Sequence, residues 1–145
     1  WGSALVSGDF NGDSYADLVI GAPYQDVGEL VDAGSILVLL GGATGLSSLN
    51  AMEFHQDTDG VPGANEVGDL WGNSLASADF NGDGYDDVIV GAPGESIGVI
   101  ENAGAFTVMF GSEQGLNADG SILFHTKALR AYLVGQKKVT TGQRP

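Results

Sequence analysis

There is no cysteine among the 145 residues. A disulfide framework and a thiolate metal site are therefore both excluded. Basic residues are nearly as scarce. All five (Lys127, Arg130, Lys137, Lys138 and Arg144) fall in the last nineteen positions, and all nineteen acidic residues precede them. Residues 1–126 thus carry a formal charge of −19, and the tail carries +5. A body this acidic repels nucleic acid and anionic membranes and attracts cations, so no nucleic-acid partner is expected. Solubility or adaptation to high salt are plainer reasons for the acidity beyond any metal loops. No apolar run is long enough to cross a membrane and no leader peptide opens the sequence, so membrane insertion is not expected. Helical periodicity is missing before residue 127. The chain starts at Trp1 rather than Met, as expected of a processed protein or a piece of a longer one.

What is present is said twice. DFNGDSYADLVIGAP begins at Asp9, and DFNGDGYDDVIVGAP begins at Asp79. Laying residues 1–55 over 71–125 needs no gap and gives 23 identities. Self-similarity at a fixed period marks a repeat architecture. The first repeat with its connector occupies residues 1–70, the second 71–126, and a basic tail 127–145 belongs to neither.

Each repeat reads as four strands. Ala4 to Phe10 and Ser74 to Phe80 are the first. Asp17 to Ala22 and Asp87 to Ala92 are short, β-branched apolar runs, as buried strands require. Ser35 to Leu40 and Ala105 to Phe110 are the third, the latter alternating with period two. Ala51 to His55 and Ser121 to His125 are a weaker fourth. Twenty-four glycines fit the many tight turns between them. Four strands with two apolar faces describe a propeller blade, and two blades can bury only one shared face. Val19 and Ile36 with Ile89, Phe106 and Phe110 cannot all lie against it. The fold class is all-β: two four-stranded blades of a β-propeller, its ring completed by oligomerisation or by missing parts of a longer chain.

The loops after the first strands carry the chemistry. Asp9, Asn11, Asp13 and Asp17, and again Asp79, Asn81, Asp83 and Asp87, place hard oxygens at loop positions 1, 3, 5 and 9. The carbonyl of Tyr15 or Tyr85 would add another. Ca²⁺ takes about six to eight oxygens at about 2.3–2.6 Å in flexible geometry, whereas Mg²⁺ demands a tighter octahedron. An EF-hand is excluded, because that loop needs a bidentate Glu at position 12 and flanking helices, and here position 12 is Ile20 or Val90 inside a strand. A plain Asn-Gly-Asp turn with solvated acids would not require the whole pattern to occur twice.

These motifs resemble the FG-GAP repeat, known from the propellers of integrin α subunits and from bacterial extracellular proteins. Gly21-Ala22-Pro23 and Gly91-Ala92-Pro93 match its second half. Trp1-Gly2 and Trp71-Gly72 stand where the family has Phe-Gly. Gly34 to Gly41 with Gly45-Leu46, and Gly104 to Gly111 with Gly115-Leu116, match the later strand and turn. The connector GVPGANEVGDLWG is similar to bacterial members, and the lack of cysteine favours a bacterial or archaeal source over an animal integrin, so a bacterial-type member is expected. The resemblance implies one Ca²⁺ per repeat, two in total, held by Asp9, Asn11, Asp13, Tyr15 (carbonyl) and Asp17, and by Asp79, Asn81, Asp83, Tyr85 (carbonyl) and Asp87. Ser14 stands where the second copy has Gly84, and a left-handed backbone there would make site one the weaker.

The function expected from this resemblance is not enzymatic. It is extracellular binding, adhesion or assembly, with a protein or glycan partner at the cell surface or matrix, in a homo-oligomer or a larger propeller. The alternative is a non-catalytic regulatory or scaffolding part of a secreted hydrolase. His55 and His125 are repeat-equivalent, which favours a structural role over catalysis. Asp57-Thr58-Asp59-Gly60 reads as a solvated turn rather than a further cation site, and Trp1 and Trp71 as packing between blades rather than binding platforms. No Ser nucleophile stands beside a plausible His and acid constellation. The tail reads as an artificial extension, a disordered end or a docking segment for the acidic body.

Overall fold

The computed structural model describes residues 1–127, so the tail from residue 128 onward lies outside the described residues. It contains two antiparallel four-stranded sheets. The first holds β1 (Ala4–Gly8), β2 (Asp17–Ala22), β3 (Ser35–Leu40) and β4 (Ser47–Phe54), in that order. The second holds β5 (Ser74–Ala78), β6 (Asp87–Ala92), β7 (Ala105–Ser112) and β8 (Gly115–His125).

The second and third strands of the first repeat lie where the apolar runs place them. The first strands are shorter than expected, ending at Gly8 and Ala78. The reason is visible at Phe10, whose N–H donates to the Asp17 carboxylate and whose carbonyl accepts from Ser112 N–H. Those groups leave the ladder and close the loop instead. The outer strands are longer than expected. β4 begins with the exposed run Ser47 to Asn50, whose one apolar residue, Leu49, faces solvent and sets no period, and a bulge between Val38 and Leu40 shifts its register.

Register decides which residues share a face. Val6 pairs with Val19, Val19 with Val38, and Val38 with Met52, so these form one row across the first sheet. In the second sheet the row Leu75, Val90, Thr107 and Leu123 turns inward. Val19, Ile36, Val38, Phe54, Val88, Val90, Met109 and Trp71 all belong to one buried cluster between the sheets. Full burial of such side chains contributes about 1.5–3 kcal/mol each. The inward rows occupy opposite repeat positions, since Val19 corresponds to Ile89 and Ile20 to Val90. The sheets therefore pack head to tail.

The segment entering the second sheet is stitched to the first. Gly68, Leu70 and Trp71 N–H donate to the carbonyls of Val31, Asp32 and Ala33 at 3.0, 3.1 and 3.1 Å. Gly34 must be glycine there: its φ is +92°, and a Cβ would lie 2.1 Å from the Trp71 carbonyl oxygen. Trp71 is fully buried and its indole N–H donates to Thr107 Oγ1 at 3.1 Å. Trp1 is 59% exposed, so packing between blades holds for Trp71 alone of the two. The first sheet roofs Trp71, and no described residue does the same for Trp1.

The outward face of the second sheet remains apolar. Phe80, Ile89, Phe106, Val108, Phe110, Ile122 and Phe124 line a shallow depression, with Phe106 and Phe124 stacked at 5.1 Å. The corresponding Phe10, Val19, Ile36, Val38 and Phe54 are buried under the second sheet.

Candidate metal centres

Each acidic loop joins the first two strands of its sheet, β1 to β2 and β5 to β6. In the first, Asp9 Oδ1 accepts from Asp13 N–H at 3.1 Å and Oδ2 from Ser14 N–H at 2.9 Å. Asn11 Nδ2 donates to Asp13 Oδ2 at 3.0 Å, and Tyr15 N–H donates to Asp13 Oδ1 at 2.9 Å. The second loop repeats the pattern. Asp79 accepts from Gly82, Asp83 and Gly84 N–H at 2.8, 3.1 and 2.9 Å, Asn81 Nδ2 donates to Asp83 Oδ2 at 3.3 Å, and Tyr85 N–H donates to Asp83 Oδ1 at 3.0 Å. These donations, led by that of Gly84, hold the Asp79 carboxyl below its ordinary range.

Asp17 and Asp87 behave differently from the other acids. Both are buried, and each bridges two backbone segments. Asp17 accepts from Phe10 N–H and Gly41 N–H at 2.8 Å each. Asp87 accepts from Phe80 N–H at 2.9 Å and Gly111 N–H at 3.0 Å. Burial raises both carboxyls, against the pull of these N–H groups, and the neighbouring loop acids raise them further. Their visible work is to fasten the loop to the third strand.

The structure thus brings Asp9, Asn11 and Asp13 together, and likewise Asp79, Asn81 and Asp83. Asp17 and Asp87 stand behind them, and Tyr15 and Tyr85 join through their N–H groups. Among the described residues no group of three or more carboxylates and imidazoles converges on one point. The donor chemistry nonetheless suits a hard divalent cation. The charges of Asp13 and Asp9 are close enough to raise the Asp17 carboxyl, which burial raises first, and no Lys or Arg precedes residue 127 in the sequence. Ser14 has φ 70° and Gly84 φ 91°, so the serine does adopt the left-handed conformation.

The polar residues of the connector bond to one another. His55 Nδ1 accepts from Asp57 N–H at 3.2 Å and lies 3.1 Å from Asn65 Nδ2, while Asp57 accepts from Asn65 N–H. These bonds hold the connector in shape. Sequence reasoning missed two features. One is a buried polar group in which Gln56 Nε2 donates to Glu95 at 2.7 Å beside Asp69. Burial pushes the Asp69 carboxyl up to about 7, with the charges of Glu95 and Glu66 adding to it. The other is Asp86, which reaches across to the first loop. Its signal was a difference between repeats, since Ala16 stands in its place.

Comparison with known proteins accounts for this arrangement. A model of the FG-GAP repeat matches residues 1–39 and 71–109, more than half of the chain. Phosphatidylinositol-glycan-specific phospholipase D of Bos taurus is 33% identical over 114 residues, covering 79% of this chain and 14% of that protein. Integrin alpha-PS5 of Drosophila melanogaster is 34% identical over 122 residues, covering 83% of this chain and 11% of that protein. Integrin alpha-4 of Xenopus laevis is 30% identical over 117 residues, covering 80% and 10%. The chain therefore spans no more than 14% of these relatives. All three are animal proteins, so the expectation of a bacterial-type member is not borne out. The missing cysteine shows only that this pair of sheets closes its core without a disulfide. The chain belongs to the FG-GAP repeat family.

Proposed function

We propose that the chain is a calcium-binding pair of propeller blades that acts in extracellular binding, adhesion or assembly and carries no catalysis of its own. The observation that supports this most is the acidic loop, folded the same way twice, with no ion pair to a cationic side chain among the described residues. Asp9, Asn11, Asp13 and Asp17 would hold one Ca²⁺, and Asp79, Asn81, Asp83 and Asp87 the other, with the carbonyls of Tyr15 and Tyr85 completing each set. The ion would supply the positive charge the loop lacks. Placement outside the cell, and a protein or glycan partner at its surface, fit the integrin relatives. The phospholipase D relatives favour a second reading, a non-catalytic scaffolding or regulatory part of a secreted hydrolase. A catalytic domain in the same polypeptide would decide for it.

Calcium that binds only the native state adds RT ln(1 + [L]/Kd), about 2.7 kcal/mol per independent site at a hundred times Kd. Thermal melting in calcium and in chelator should give clearly separated midpoints. Coincident midpoints would refute the metal assignment.

The open apolar face on the second sheet supports assembly, since it stands where the equivalent face of the first sheet is covered by a neighbouring blade. Head-to-tail contacts close into rings when the rotation allows. Light scattering in calcium should give a mass that is a multiple of 14.8 kDa, or association with a further blade. A stable, well-folded monomer would refute assembly by this chain alone.

A further inference from the structure

We propose that Asp86 is a positioning residue for the first calcium loop, holding that loop's first ligand from across the blade boundary. The inference rests on the calcium reading above. Asp9 N–H donates to Asp86 Oδ2 at 2.8 Å, and Asp86 N–H donates back to the Asp9 carbonyl at 3.0 Å. Ser112 N–H donates to the Phe10 carbonyl at 3.1 Å, and Phe10 N–H is held by Asp17 at 2.8 Å. Both backbone groups of Asp9 and both of Phe10 are thus fixed, three of the four bonds coming from the second sheet or its loop. Gly111 sits at this seam: a Cβ there would clash first with the Asp86 carbonyl oxygen of its own sheet, as one at Gly41 would with Ala16, and would also lie 2.7 Å from the Phe10 carbonyl oxygen of the first loop.

The bonds from Asp86 and Ser112 do not follow from the repeat, whereas the bond of Asp17 to Phe10 does, being matched by that of Asp87 to Phe80. Position 16 of the first repeat is Ala, so the clamp belongs to the boundary between the two sheets and not to the loop motif. Asp9 is half-buried, whereas its counterpart Asp79 is exposed. A ligand whose backbone is already fixed loses less freedom when the cation arrives, and affinity rises accordingly. The coupling is reciprocal: calcium in loop one strengthens the docking of the second sheet on the first.

The test is a calcium titration of the full chain followed by NMR, with the Gly12 and Gly82 amides reporting the two loops separately. Asp86→Ala should weaken loop one about tenfold, the effect of losing one charge-assisted hydrogen bond, and loop two by less than about threefold. Asp86→Asn removes the same charge but keeps an acceptor, so it should restore loop one to within about threefold of wild type. In chelator, the Asp9 amide should exchange with solvent at least about tenfold faster in Asp86→Ala than in Asp86→Asn. If Asp86→Ala does not fold, Asp86→Ser replaces it, since its hydroxyl is one bond too short to reach. Wild-type binding with an unchanged loop one in Asp86→Ala, or equal losses in the Ala and Asn variants, would overturn this proposal alone. Wild type that binds no calcium would overturn the calcium reading and this inference with it.

Discussion

Trp71 should be the most costly single truncation in the molecule, although its repeat counterpart Trp1 should matter little. Trp71 is fully buried in the cluster between the sheets, and its N–H has a buried partner in Thr107. Trp71→Ala removes the largest buried side chain and leaves a cavity, at a cost of about 3–5 kcal/mol. It also orphans the Thr107 hydroxyl, for about 1–3 kcal/mol more. Set against a total stability of about 5–15 kcal/mol for a small domain, that loss approaches unfolding. Trp1→Ala, at a site 59% exposed, should shift stability by no more than about 0.5 kcal/mol. The hydrogen bond separates from the packing in a double-mutant cycle. Trp71→Phe and Thr107→Val each leave one buried polar group unpaired, while the double variant leaves none, so it should lose less than the sum of the two. Urea unfolding followed by far-UV circular dichroism, at fixed calcium, gives all six midpoints, wild type included. Equal losses from Trp71→Ala and Trp1→Ala would refute the claim that the second sheet is seated by this residue. Strict additivity would refute the hydrogen bond's contribution.

Ser14→Gly should stabilise the chain by up to about 1 kcal/mol, because Ser14 stands at φ 70°, and Gly84→Ser should destabilise it similarly. Thermal melts of the two variants check this, and a loss from Ser14→Gly would contradict it. Asp69 titrates about 7 in the folded protein against an ordinary 3.8, so the native state binds the extra proton. Stability in chelator should therefore fall as pH rises from 3.8 to about 7 and level off above it, the reverse of an ion-paired carboxylate. Glu95 is raised by burial in the same direction and should add to the slope. Urea midpoints across that range should flatten in Asp69→Asn, and an unchanged slope there would assign the effect elsewhere.

The repeat, the eight strands and the two acidic loops were legible because each is local. Alternation and turn residues fix a strand within about ten positions, and an Asp-x-Asn-x-Asp run defines its own loop. The first strands were read too long because Phe10 and Phe80 continue the apolar pattern, while their backbone groups bond elsewhere. The solvent-facing start of β4 was missed for the opposite reason, since an exposed edge carries no hydrophobic period.

Tertiary structure alone decided what differs between equivalent positions. Period two says that Ile36 and Val38 share a face, and that Phe106 and Val108 do. It does not say which of the two faces has a neighbour. The first pair is covered by the second sheet, and the second lines the open face. Trp1 and Trp71 open the same Trp-Gly-x-x-Leu pattern and have opposite exposures. In both repeats the expected ligand at loop position 9 also fastens distant backbone, Asp17 tying Phe10 to Gly41 across 24 residues and Asp87 tying Phe80 to Gly111. Asp86 finds Asp9 at a separation of 77. The sequence by itself determined each blade, because short-range sterics and hydrophobic alternation act within a repeat. The partner of each face was settled only by packing, since contacts between blades join residues that no local pattern links.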